Sequence, residues 1–92
     1  MFYLSQIKGF KGNCIRVLEG HTDVVHGLAF SSNDTLASCS FDKTIRIWNI
    51  DSGECLKVLE GHTDWVSGLA FSSNDTLASC DKTIRIWRLN FY

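Results

Sequence analysis

Apolar residues in this chain fall in short alternating runs, without the 3.6-residue stripe of a helix. In "TIRIW", Ile45 and Ile47 share one face while Thr44, Arg46 and Trp48 share the other, which is the two-residue period of a strand. "CIRVLEG", "VVHGLAF" and "TLASCS" are also rich in β-forming residues, and "SSND", "FDK" and "DSG" separate them as turn clusters. The pattern predicts strands over 14–18, 24–31, 35–40 and 43–50, and again over 55–59, 65–72, 76–80 and 82–89. Several of these strands carry apolar residues on both faces, so each small sheet needs cover on both sides. A single sheet cannot provide that for itself, and stacking of sheets is the expected solution.

The second set of strands is a copy of the first. With an offset of 41 from Cys14, 26 positions align up to Cys39, and seven more align from Asp42 to Trp48 once two residues are skipped. Of these 33 positions, 29 are identical; the exchanges are Ile15/Leu56, Arg16/Lys57, Val24/Trp65 and His26/Ser67. The skipped pair is Ser40-Phe41, which has no counterpart between Cys80 and Asp81. An even deletion keeps the in/out parity of the strands. It must shorten the hairpin between the second and third strands or shift their register.

"LEGHTDVVHGLAFSSNDTLASCSFDKTIRIWN" resembles the WD repeat, the unit of β-propellers with four-stranded blades. The Gly-His pair, the 41-residue period and the terminal Trp carry the resemblance from Cys14 to Trp87, with Trp48-Asn49 and Trp87-Arg88 standing where the family usually has Trp-Asp. It implies an all-β fold of antiparallel four-stranded blades, about two in number. The expected organisation is an N-terminal segment over 1–13, either a degenerate strand or a disordered tail, a first repeat over 14–54 and a second over 55–92. The resemblance also implies a buried hydrogen-bond chain at a corner of the first blade on His21, Ser38, Asp42 and Trp48, with His62, Ser79, Asp81 and Trp87 as its counterparts. With two residues missing ahead of Asp81, Ser79 is not expected to reach the corner that Ser38 occupies. Trp can only donate and a carboxylate can only accept, while Ser and His can do both.

Ser, His and Asp together also spell a hydrolase triad. Catalysis would need an exposed nucleophile, an oxyanion hole and a cleft, yet Ser38 lies mid-strand without a glycine-rich elbow, so no enzyme is expected. "HTDVVH" is no convincing metal motif, because His26 becomes Ser67 in the copy; neither a metal nor a cofactor is expected. The four cysteines are two positions duplicated, with no C-x-x-C, and read as small buried hydrophobes in a reducing compartment. Asn33 and Asn74 sit in glycosylation sequons that read as turns in an unsecreted chain. Nine basic and ten acidic residues give a net charge of −1, so no basic footprint for nucleic acid or an anionic membrane appears. With no secretory layout and no long apolar run, the expected location is cytoplasmic.

In the resembled family the outermost strand of one blade precedes the innermost strand of the next. Strand 14–18 is then an orphan, 24–59 holds one full blade, and 65–89 holds a blade lacking its outer strand. Two blades cannot close a ring, so completion by self-association (three or four copies) or by further blades is expected. The resemblance places the partner-binding rim at Val24, His26 and Phe41 and at Trp65 and Ser67. Half of the exchanges and the deletion fall there, read either as partner contact or as drift at adaptable positions. The expected function is a non-catalytic scaffold binding a protein or peptide; the alternative is a structural unit or propeller fragment without a partner of its own.

Overall fold

The computed structural model describes residues 12–72 and 75–89, all of them outside helices. Four antiparallel strands, β1 (Val25–Phe30), β2 (Thr35–Ser40), β3 (Ile45–Asn49) and β4 (Cys55–Leu59), form one sheet in chain order. Three more, β5 (Gly68–Phe71), β6 (Thr76–Cys80) and β7 (Ile84–Arg88), form a second. The full sheet followed by a sheet short of one strand is the arrangement the resemblance implies.

Local chemistry sets the turns. Asp34 and Asp75, at the same place in the two copies, both take φ 61°, a left-handed conformation that Asp tolerates better than most residues. Gly53 takes φ +76° between β3 and β4, where a side chain would be strained. Gly27 answers a different need: a Cβ there would stand 2.5 Å from Cys39 Sγ, so the missing side chain lets β1 lie over a buried thiol.

The deletion is absorbed entirely in a hairpin. Ser38 pairs with Arg46 and Cys39 with Ile45 across β2–β3, while Ser79 pairs with Arg85 and Cys80 with Ile84 across β6–β7. The ladder register is therefore unchanged, and only the connection shortens.

The core lies between the sheets. Ala37, Cys39, Ile45 and Ile47 of the first sheet, all 0% exposed, meet Leu77 of the second and Val66 just ahead of β5, with Leu59, Leu69, Phe71 and Trp87 packed around them. The outer faces are open. Leu28 and Phe30 on one side are 63% and 70% exposed, and Ile84 and Ile86 on the other are 75% and 67% exposed.

Three expectations need correction. Cys14–Leu18 is not a strand; it runs as exposed coil, because none of the described strands offers it a ladder partner. The cysteines are not uniformly buried: all four are free thiols, and only Cys39 is buried, Cys14 lying on the exposed coil and Cys80 on an open sheet face. The strand expected over 65–72 begins only at Gly68, since Val66 turns into the core. The N-terminal stretch containing "YLSQI" and the Asn74 sequon lie outside the described residues.

Candidate functional site

Two sites come out of this architecture: a buried polar chain at the corner of each sheet, and an aromatic series along one rim. In the first sheet, Trp48 on β3 donates its indole N–H to Ser38 Oγ on β2 at 2.8 Å. Ser38 Oγ is 2.7 Å from His21 Nε2, and His21 Nδ1 is 2.8 Å from Asp42 Oδ2. Ladder register explains the first link, since Leu36 pairs with Trp48 and sets Ser38 one turn of the pleat away.

Sequence reasoning missed the threonines that hold the carboxylates. Asp42 Oδ1 accepts from the Thr44 N–H at 2.9 Å and from its hydroxyl at 2.5 Å, while Oδ2 also accepts from the Thr22 N–H at 3.1 Å. Burial opposes ionisation of Asp42, yet the Thr44 hydroxyl, His21 and the two backbone N–H groups together keep its carboxyl well below the usual range. The Thr83 N–H and hydroxyl do the same for Asp81, with His62 and Thr63 assisting. The signal was present in the repeated "DKT", an Asp two residues ahead of a Thr, which is the spacing of an Asx turn.

The shortened copy inverts what the deletion suggested. Ser79 does occupy the equivalent corner: its Oγ is 2.6 Å from His62 Nε2 and accepts from Trp87 Nε1 at 2.8 Å. Asp81 is the member that fits less well. His62 Nδ1 stands 3.1 Å from Asp81 Oδ2 but is buried without an aligned hydrogen bond. The reason is positional: Ser79 belongs to a ladder whose register survives, while Asp81 sits in the turn that lost two residues.

Neither chain of groups is arranged for acyl transfer. Ser38 and Ser79 are 4% and 2% exposed, and each hydroxyl oxygen already accepts an indole N–H. A substrate carbonyl cannot reach them. Among the described residues no group of three His, Cys, Asp or Glu could hold a metal ion.

At the rim, Phe41 is held by its backbone N–H bond to the Val24 carbonyl at 3.0 Å. Its ring lies 4.8 Å from His26 and stacks on Trp65, in the segment that leads into β5, at 4.4 Å between ring centroids. Val24 and Trp65 are 56% and 55% exposed. Ser67 is exposed, its N–H and hydroxyl both donating to the Cys80 carbonyl, at 2.7 and 3.2 Å. Beside Trp65 a cavity of about 200 Å³ is lined by Asp64, Ser67, Asp81 and Lys82, at the corner of the sheet that lacks a counterpart of Phe41.

Stacked antiparallel sheets pinned by a Trp–Ser–His–Asp chain define a partial β-propeller. Residues 12–49 and 53–88 match the family described as "WD domain, G-beta repeat", and the chain belongs to that family. It is 62% identical over 37 residues to Striatin-4 of Homo sapiens, covering 39% of this chain and 5% of that protein. It is 49% identical over 41 residues to Nucleoporin Nup37 of Homo sapiens, covering 42% of this chain and 13% of that one. Among solved structures it is similar to the computationally designed Ika4 protein, with a TM-score of 0.75 and 34% identity over 85% of this chain and 49% of that one. The chain thus spans a small fraction of the length of these curated relatives. WD-repeat proteins are generally non-catalytic scaffolds for protein interaction.

Proposed function

We propose that this chain is a non-catalytic WD-repeat interaction module that presents the rim formed by Val24, His26, Phe41, Trp65 and Ser67 to a protein or peptide. The observation that carries the reading is the His26–Phe41–Trp65 series, which crosses the seam between the two sheets and leaves Trp65 more than half exposed. Rigid aromatics beside a hollow are what interface anchors look like. A reducing compartment such as the cytosol suits the four free thiols.

The test is selection of binders from a displayed random-peptide library on the immobilised chain. Selected peptides should lose at least about tenfold in affinity on Trp65→Ala or Phe41→Ala, a typical anchor loss, and keep it on Lys57→Ala. Peptides indifferent to both aromatic substitutions would remove the rim reading.

A second reading is favoured by the open faces bearing Leu28, Phe30, Ile84 and Ile86: a structural unit completed by self-association into a ring, or by further blades. Three copies would supply six blades and four would supply eight. Native mass measurement separates closed multiples from a lone chain.

A further inference from the structure

The two open faces are the two halves of the interface already buried inside the molecule. On the second sheet, the exposed Ile84 and Ile86 (75% and 67%) are the sequence copies of Ile45 and Ile47, which are 0% exposed in the first sheet. On the first sheet, the exposed Leu28 and Phe30 are the copies of Leu69 and Phe71, which pack against the core in the second. Val25, 46% exposed, is likewise the copy of the fully buried Val66. Each face lacks only the partner that its copy has. The open face of the second sheet also carries a shallow apolar hollow of about 290 Å³, bounded by Gly68, Ala70, Ala78, Cys80 and Ile84.

The strand inventory points the same way. Among the described residues β7 has a paired neighbour on one side only, while its copy β3 is flanked by both β2 and β4. The copy of β4 is Cys14–Leu18, the exposed coil. Arg16 anchors it by donating to the carbonyls of Asp51 at 2.6 Å and Ser52 at 3.4 Å at the margin of its own first sheet. Exposed bonds of that kind exchange readily with water.

We infer that a second copy of this chain docks head to tail on the Ile84/Ile86 face, laying its Leu28/Phe30 face there and adding its Cys14–Leu18 segment as the fourth strand beside β7. One placement satisfies both needs, because β4 precedes β5 in the chain just as Cys14–Leu18 precedes β1. The register follows from β3–β4, where Ile45 pairs with Leu59, Arg46 with Val58 and Ile47 with Lys57. Transferred, it sets Ile84 opposite the second copy's Leu18, Arg85 opposite its Val17 and Ile86 opposite its Arg16. Face burial and edge pairing together cover the two features that make an isolated sheet prone to aggregate. The inference rests on the self-association reading above.

The test mixes full chains carrying Val17→Cys with full chains carrying Arg85→Cys under mild oxidation, and maps disulfides by peptide mass. A 17–85 cross-link between chains is expected in the mixture. Native mass of the unsubstituted chain should give closed multiples, and Leu18→Pro, which removes the N–H that the transferred register aims at Ile84 from a segment that is coil in the single chain, should abolish them. Closed multiples that persist with Leu18→Pro and give no 17–85 linkage would overturn strand donation while leaving self-association intact. A single-chain mass at every concentration tested would overturn both.

Discussion

At the scale of single residues, the fold is tied at points where polar side chains can satisfy one another only in a fixed order. Ser38 accepts from Trp48 and faces His21 inside the sheet corner, so Ser38→Ala leaves a buried indole N–H and an imidazole nitrogen without partners. A loss of about 1–3 kcal/mol in urea unfolding is expected, the usual penalty for such orphaned groups. The two carboxyls act through pH. Both sit well below their ordinary value of 3.8, because their partners favour the charged form. Their stabilisation is therefore complete above about pH 4, the unfolded-state value, and is withdrawn as the pH falls through the lower folded-state values. Melting temperature should be insensitive to these groups between pH 7 and 5 and should fall on further acidification. That acid-side fall should be shallower in Asp42→Asn, and an identical profile in the variant would refute the assignment. The bonds from Thr44 and Thr83 that produce the effect were legible only as a repeated "DKT", since a turn signature does not disclose which distant histidine the carboxylate will meet.

At the scale of elements, the deletion is instructive. Removing an even number of residues kept Ile84 and Ile86 on the same face of their strand as Ile45 and Ile47, as parity requires. Whether the loss would go into the hairpin or the register was not readable. The ladder decided it: five pairs across β6–β7 repeat those across β2–β3, and slipping them would cost every cross-strand contact, while tightening one turn costs only the aim of Asp81. Restoring Ser-Phe between Cys80 and Asp81 should realign His62 with Asp81 and place a ring beside the cavity near Trp65. A rise in melting temperature of a few degrees is expected by calorimetry, the shift that about 1 kcal/mol makes in a domain of this size; no rise would mean that the shorter turn is already optimal. Cys14–Leu18 shows the converse. Its sequence is as strand-like as that of β4, yet it is coil, because a strand is a relation to a neighbour and its neighbour is missing from the described chain.

At the scale of the whole molecule, identical residues have opposite environments. Ile47 and Ile86 sit at the same place in the repeat, one fully buried and the other 67% exposed. Ile47→Ala should cost about 2–5 kcal/mol, as truncation in a packed core does. For a lone chain Ile86→Ala should change stability by no more than about 0.5 kcal/mol, the range of surface substitutions. If a second copy covers that face, the two costs should converge as protein concentration rises, because association stabilises only the folded form. Denaturant melts of both variants at several concentrations make the comparison, and concentration-independent values that differ throughout would count against assembly.

The chain by itself determined the seven strands that form and the turns between them, because these follow from a two-residue period and local turn chemistry. The polar corner of the first repeat was legible only through the resemblance to the WD repeat, with the donor–acceptor capacity of its side chains setting their order. Only the tertiary structure decided which copy of each apolar face is covered, which cysteine is buried, where the deletion is absorbed and that Phe41 bridges His26 and Trp65. Those outcomes depend on which sheet stands next to which, and two nearly identical repeats cannot express in their residues a difference that lies in their neighbours.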